Sequence, residues 1–258
     1  MTDETKSTVR REFGANAAAY VTSATHAKGA SLERLLTLTD PQPEWRVLDI
    51  ATGAGHTAFL FAPHVRQVWA TDITPEMLEQ VRRQLPTRGS GNMTVEIADA
   101  EQLPYADQMF DLVTCRIAPH HFDAPEAFVR EATRVLKPGG LLAVVDNIVP
   151  HGIAGDYVNA LEKLRDPSHV RCLSVEEWQE LFSAQALVVE HAETLYKSVS
   201  FETWAARHEP TMQRYLLAML SQSCGAAGEF LQPQLSGDSV RFRLWEAILL
   251  GRRGSTSD

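Results

Sequence analysis

The chain has 258 residues, 44% of them hydrophobic, enough for one sizeable domain with its own core. Its 24 basic and 33 acidic side chains leave a formal net charge of −9, and no basic run exceeds two residues, which argues against a nucleic-acid partner gripped through its phosphates. A polar opening stretch, three scattered cysteines (Cys115, Cys172 and Cys224) and no apolar run near the ~20 residues of a membrane helix point to a reduced, cytoplasmic protein without an integral membrane segment.

Residues 7–38 read as helix, with Val9, Phe13, Ala17 and Tyr20, then Leu32, Leu35 and Leu36, at helical spacing. The prolines at 41 and 43 form a linker. A β-type run then reaches Asp49 and breaks into a loop containing Thr52, Gly53 and Gly55, and a helical stretch covers 56–64. Residues 68–72 form a second run ending in an acid, Asp72. After Ile73, Thr74, Pro75 and Glu76 supply a capping hydroxyl, a first-turn proline and an acid at the positive end of a helix over 75–85. A third run over 95–98 ends at Asp99 and Ala100. A fourth over 110–115 is followed by Arg116, His120, His121 and Phe122. A helix over 125–136, a turn over 137–140 and a fifth run over 141–145 complete an alternation that predicts a parallel sheet with right-handed crossovers.

After Pro150 the rhythm changes. Ser174 and Glu177 form a capping box that opens a helix, 187–196 reads as a strand, 201–223 as two helical pieces broken near Pro210, and 241–251 as a last strand. The stretch 147–185 reads as loop-rich and is the expected seat of substrate specificity. The whole is expected to be one domain, divided into 1–44, 45–150 and 151–258.

Two ligands compete for the glycine loop. Gly53, Gly55 and Ala58 fit the G-x-G-x-x-A dinucleotide fingerprint, and Asp72 follows Gly53 by nineteen residues, as an NAD ribose acid should. Asp49 argues the other way, since a carboxylate there would face a pyrophosphate of like charge. It suits the ammonium of S-adenosylmethionine. Asp72 can then accept from ribose hydroxyls and Asp99 from an adenine amino group.

On these residues the chain resembles the class I S-adenosylmethionine-dependent methyltransferases, and most of all the branch of ubiquinone and menaquinone biosynthesis methyltransferases. The resemblance is carried by Asp49 to Gly55, by Asp72, by Asp99 to Pro104, by Phe110 and Asp111, and by Arg134 to Gly140, within residues 45–147. It implies an α/β, Rossmann-like, seven-stranded and mostly parallel sheet with helices on both faces and one antiparallel strand near the C-terminus. It also implies an N-terminal helical lid over the cofactor, with Tyr20 and His26 facing it; the alternative for this stretch is a core-packing helix with an exposed polar face. Ile73 would pack on adenine, and Thr52, Ala54 and Ala100 would line the cofactor beside the three acids.

Methyl transfer from a sulfonium is an in-line displacement, for which positioning alone supplies ~7–11 kcal/mol. A base is needed only where the acceptor must lose a proton. His120 and His121, which titrate near neutrality, are the candidates, although neighbouring side chains point apart. Arg116 either orients the substrate and cofactor or pairs with a buried acid. Arg165, His169 and Arg171 around Asp166 and Ser168 form either an anion pocket or a capped turn. Trp178 and Trp204 are packing residues or a cation-binding face. The chain has no Asn-Pro-Pro-Tyr or Asp-Pro-Pro-Tyr segment, no Pro-Cys dipeptide and no Cys/His cluster with metal-ligand spacing. The expected acceptor is therefore a small molecule, aromatic or quinone-like. An NAD-dependent oxidoreductase and a non-catalytic S-adenosylmethionine-binding protein stand as rivals.

Overall fold

The computed structural model describes residues 3–22, 29–237 and 239–255. One sheet organises them, in the order β3-β2-β1-β4-β5-β8-β6. Its strands are β1 (Arg46–Ile50), β2 (Gln67–Asp72), β3 (Met93–Ile97), β4 (Phe110–Arg116), β5 (Leu136–Asn147), β6 (Leu187–Ser200) and β8 (Ser239–Arg253), with a short β7 (Gln234–Ser236) paired to β8. Strands β1 to β5 pair in parallel, and β8 runs antiparallel to both β5 and β6. The seven-strand, mostly parallel sheet with one antiparallel member is thus present, with β7 as an addition.

The apolar runs are continuous because both faces of the central strands are buried. Leu48, Ile50, Val113, Cys115, Leu142 and Val144 share one core with Phe128, Trp178 and Phe182. The alternate residues Val47, Leu112, Leu141, Ala143 and Val145 pack on the other face with Leu35 and Phe61. α1 (Asp3–Thr22) packs on α4 (Pro75–Arg88), which lies on the sheet with α2 (Ala30–Thr39), α3 (His56–Phe61), α5 (Pro125–Val135) and α7 (Val175–Ala184), while α6 (Ile153–Arg165) belongs to a separate core. A third core, centred on Trp204, Leu216, Leu220 and Phe242, joins α6 to α8 (Phe201–Ala205), α9 (Pro210–Gln222) and α10 (Gly225–Leu231).

Several expectations need correction. The helix expected over 7–38 does not run through: among the described residues α1 ends at Thr22 and α2 starts at Ala30 after an extended Gly29, and His26 lies outside the described residues. The stretch 147–185 is mostly helical, holding α6 and α7. The turn at 137–140 is a bulge within β5: Leu136 pairs with Phe110 and Leu141 with Leu112, so the intervening residues loop out of the ladder. Gly140 permits this, because a Cβ there would sit 2.9 Å from the Lys137 carbonyl oxygen.

The capping box at α7 forms as read. The Glu177 backbone N–H donates to Ser174 Oγ at 3.2 Å, and the Ser174 N–H donates to Glu177 Oε2 at 2.7 Å. Ser174→Ala should lower unfolding stability by about 1 kcal/mol in a urea titration. An unchanged midpoint would mean that the cap adds nothing to a helix already held by Trp178 and Phe182.

Candidate functional site

The strand order reverses between β1 and β4, where ligands of open α/β sheets bind outside the carboxyl ends of the strands. A cleft with about 920 Å³ of empty space, part of it open to solvent, lies there and is walled by the ends of β1, β2 and β4, the residues after β3, and α1.

The loop after β1 turns sharply, with Ala51, Gly53 and Gly55 at φ of 52°, 54° and 87°. Gly55 also packs too closely for any side chain, since a Cβ would lie 2.9 Å from the Phe59 ring. Around Gly53 nothing would meet a Cβ within 4 Å, so its backbone borders open space in the cleft.

Asp72 ties this loop to the next one. Its Oδ2 accepts the Gly53 N–H at 2.9 Å and its Oδ1 the Thr74 N–H at 2.8 Å. A carboxylate has about four acceptor positions, so each oxygen keeps capacity for a hydroxyl. Burial raises the Asp72 pKa, and the backbone donors hold it back. Asp49, 1% exposed, accepts from Thr114 Oγ1 at 2.7 Å and Thr52 Oγ1 at 2.5 Å. Burial drives its pKa up to about 6 against those hydrogen bonds and the charge of Arg116.

Asp99 also lines the cleft and already has partners: Lys6 of α1 donates to its Oδ2 and the Glu101 N–H to its Oδ1. Arg10 of the same helix donates to the Ile73 carbonyl at 3.2 Å. Ile73, Ala100 and Tyr20 line the cleft as well. Tyr20 stands beside Phe13 at 5.5 Å between ring centroids, and burial raises its phenol pKa. Arg116 sits at the end of β4 and donates to Thr57 Oγ1 at 3.3 Å. Burial lowers its pKa, while Glu246 and Asp49 oppose that shift.

The two histidines part company. His121 lines the cleft, edge-on to Phe13 at 4.9 Å, with Nδ1 donating to the Ser168 carbonyl at 2.9 Å. Burial and the neighbouring His120 push its pKa well down. His120 is not among the cleft-lining residues, and its Nδ1 instead meets Asp146 Oδ1 at 2.6 Å. Burial alone would lower the His120 pKa, but the charge and hydrogen bond of Asp146 outweigh it and raise it. His120 is therefore a buried ion-pair residue, a correction to its place beside His121 as a candidate base.

The anion pocket does not form. Arg171 pairs with Glu177 at 2.6 Å, and Arg165 lies over the Trp204 ring at 5.6 Å. His169 bonds Asn159 at 2.9 Å, and burial with the nearby His120 charge takes its pKa down to about 3, leaving it neutral. The segment is instead a turn in which Asp166 Oδ1 accepts from both the Ser168 N–H and hydroxyl. Trp178 and Trp204 are core residues.

Lys6, Thr114 and Asp146 escaped the sequence reading. Asp146 had a signal, because it is an acid at the end of an apolar run like Asp49, Asp72 and Asp99. Lys6 and Thr114 reach the site only through tertiary packing.

Known proteins share this arrangement. A methyltransferase-domain family matches residues 48–144. The Bacillus subtilis protein named uncharacterized methyltransferase YcgJ is 38% identical over 208 residues, 80% of each chain. Its crystal structure superposes with a TM-score of 0.83, at 33% identity, covering 87% of this chain and 98% of that one. A ubiquinone/menaquinone biosynthesis C-methyltransferase from Cupriavidus taiwanensis is 40% identical over 108 residues, 41% of this chain and 44% of its own. With acids at the ends of its parallel strands and a relative of this name along most of its length, the chain belongs to the class I S-adenosylmethionine-dependent methyltransferases.

Proposed function

We propose that this enzyme methylates a small aromatic or quinone-like acceptor, that Asp49, Asp72 and Asp99 hold its S-adenosylmethionine, and that His121 takes the acceptor's proton. The observation that carries this reading is the composition of one cleft. Its lining brings three strand-end acids together with Val9, Phe13, Ile117, Phe122 and the imidazole of His121. Flat apolar walls favour a flat apolar acceptor. Neither a nucleic acid nor a membrane-spanning segment enters the reading; no helix among the described residues is long and apolar enough to cross a membrane. We place the protein in the cytoplasm, consistent with Cys115, Cys172 and Cys224 all being free thiols.

Bound S-adenosylmethionine supplies an activated methyl group. In this reading Asp49 receives the ammonium of its methionine end, with Thr52, Gly53 and Gly55 shaping the loop around it. Asp72 accepts from the ribose hydroxyls. Asp99 accepts from the adenine amino group, with Ile73 and Ala100 against the ring. Arg116 balances the buried acids Asp49 and Glu246. The single domain works as a unit in which residues 1–44 close over the cofactor, and Lys6 on Asp99 and Arg10 on Ile73 are the contacts that support a lid. A carbonyl only accepts, so the bond to Ser168 places the His121 proton on Nδ1 and leaves the Nε2 lone pair as the base.

Three measurements test the reading. Because Asp49 titrates near 6, S-adenosylmethionine affinity measured by calorimetry should fall about tenfold for each pH unit below that point. Asp49→Asn should bind more weakly at neutral pH and lose this dependence, and a wild-type affinity that is flat with pH would remove Asp49 from the ammonium. Asp72→Ala should cost ~1.5–3 kcal/mol, roughly a 10- to 100-fold loss of affinity; unchanged affinity would show the ribose assignment to be wrong. With labelled cofactor and a panel of phenols and hydroquinones, His121→Ala should lower kcat by about 10²–10⁴ while cofactor affinity stays near wild type. Normal turnover in that variant would leave His121 with a structural role.

A further inference from the structure

A cluster of titratable groups lies behind the cleft. The rings of His120 and His121 stand 4.1 Å apart between centroids, and His169 stacks 5.6 Å from His120. The charged and titratable groups facing the two neighbouring rings are Asp146 from β5, Glu162 from α6, and Asp166 and His169 from the segment after it. The α1 side presents the Phe13 ring.

We propose that the Asp146–His120 ion pair is a positioning device that keeps His121 unprotonated, with its Nε2 lone pair available to the cleft. The inference deepens the reading of His121 as proton acceptor, and its catalytic meaning rests on that reading. Asp146 is 1% exposed. Its Oδ1 meets His120 at 2.6 Å, and its Oδ2 has no hydrogen-bond partner among the described residues. A carboxylate so far from water requires a counter-charge, and the imidazolium of His120 is the one in contact with it. Two buried imidazoles at van der Waals distance do not both carry a proton, because like charges repel strongly where water is excluded.

The proton therefore resides on His120, the ring beside the acid, and His121 is left neutral. Its bond to Ser168 then selects the tautomer. Ser168 is itself fixed by the two donations to Asp166, and the Val170 N–H donates to the His120 carbonyl at 2.8 Å. Burial disfavours a second proton on this ring, and two supports act with it: the charge behind it opposes that proton further, and a carbonyl at its edge sets where the remaining one sits.

The test reads the rings directly and requires no acceptor. In ¹⁵N-labelled protein, long-range ¹H–¹⁵N correlation spectra distinguish doubly protonated, Nδ1–H and Nε2–H imidazoles across the span where histidine titrates, roughly pH 5 to 8. Wild-type protein should show His120 doubly protonated through neutrality and His121 as the neutral Nδ1–H form. Asp146→Asn removes the acid without changing shape: His120 should lose its proton at lower pH, and the His121 midpoint should rise by about one unit or more. His120→Gln, a second route to the same end should the first variant fold poorly, should shift His121 in the same direction.

Once an acceptor is in hand, the acidic limb of the kcat/KM profile of Asp146→Asn should move up with the His121 midpoint. A His121 that titrates at an ordinary value in wild-type protein, that carries its proton on Nε2, or that neither variant moves would overturn the proposal. Failure of the base reading is separately visible: the ring states would be as described, yet His121→Ala would turn over normally.

Discussion

A carboxylate taken out of water must find donors, and in this protein the donors it finds are the loops that shape the cleft. Asp72 is the clearest case. By accepting from Gly53 and Thr74 it locks the glycine loop after β1 to the start of α4, a link that Gln84 of α4 extends by donating to the Ala54 carbonyl at 3.1 Å. Asp49 does the same with hydroxyls from its own loop and from β4. Each acid carries a desolvation cost visible in its raised pKa, and that cost is recovered in order. The loops are preorganised because they are needed to satisfy the acids, and the acids stand ready for a cation because parallel strands end together.

The N-terminal helix is attached by a different kind of contact. It meets the rim of the cleft through Lys6 and Arg10, and Gly14 lets it approach α4 so closely that a Cβ would lie 3.2 Å from the Glu76 carboxylate. Its apolar contribution at the site is Val9 and the Phe13 ring, the latter against Tyr20 and His121, and Ala17 is buried farther along the helix. Polar contacts to the rim and a short apolar stripe together hold the segment that the proposed function casts as a lid.

The central sheet and its acids were legible because burial on both faces writes a strand as an unbroken apolar run, and the acid marks where it leaves the core. The C-terminal half was harder. Helix α6 begins after Gly152 without a side-chain cap, its first residue Ile153 is 88% exposed, and its core contact reduces to Val158 and Leu161, so no start signal and only a weak stripe were available. Helix α10 opens on Gly225 and contains Gly228, residues that disfavour helix, and it persists through Ala227 and Leu231 in the third core. The 137–140 segment carried a true turn signal, realised as a bulge because β4 pairs with β5 on both sides of it. Which of the adjacent histidines lines the cleft was not legible, because their partners Asp146 and Ser168 lie 26 and 47 residues away.

This division of labour has a consequence for how such enzymes diverge. The three acids, the glycine loop and both histidines fall within residues 48–144, the stretch matched by the methyltransferase domain. Phe13, Asp146 and Ser168, which contact His121 or its neighbour His120, all fall outside it. Under the proposed function the cofactor's acids would thus lie in one contiguous block, whereas the acceptor side would draw on α1, the end of β5 and a turn after α6. Asp49 and Asp72 take no hydrogen bond from those three segments among the described contacts. A relative that matches mainly through the shared block, such as the ubiquinone/menaquinone enzyme at 41% of this chain, is therefore a guide to the cofactor and only a weak guide to the acceptor.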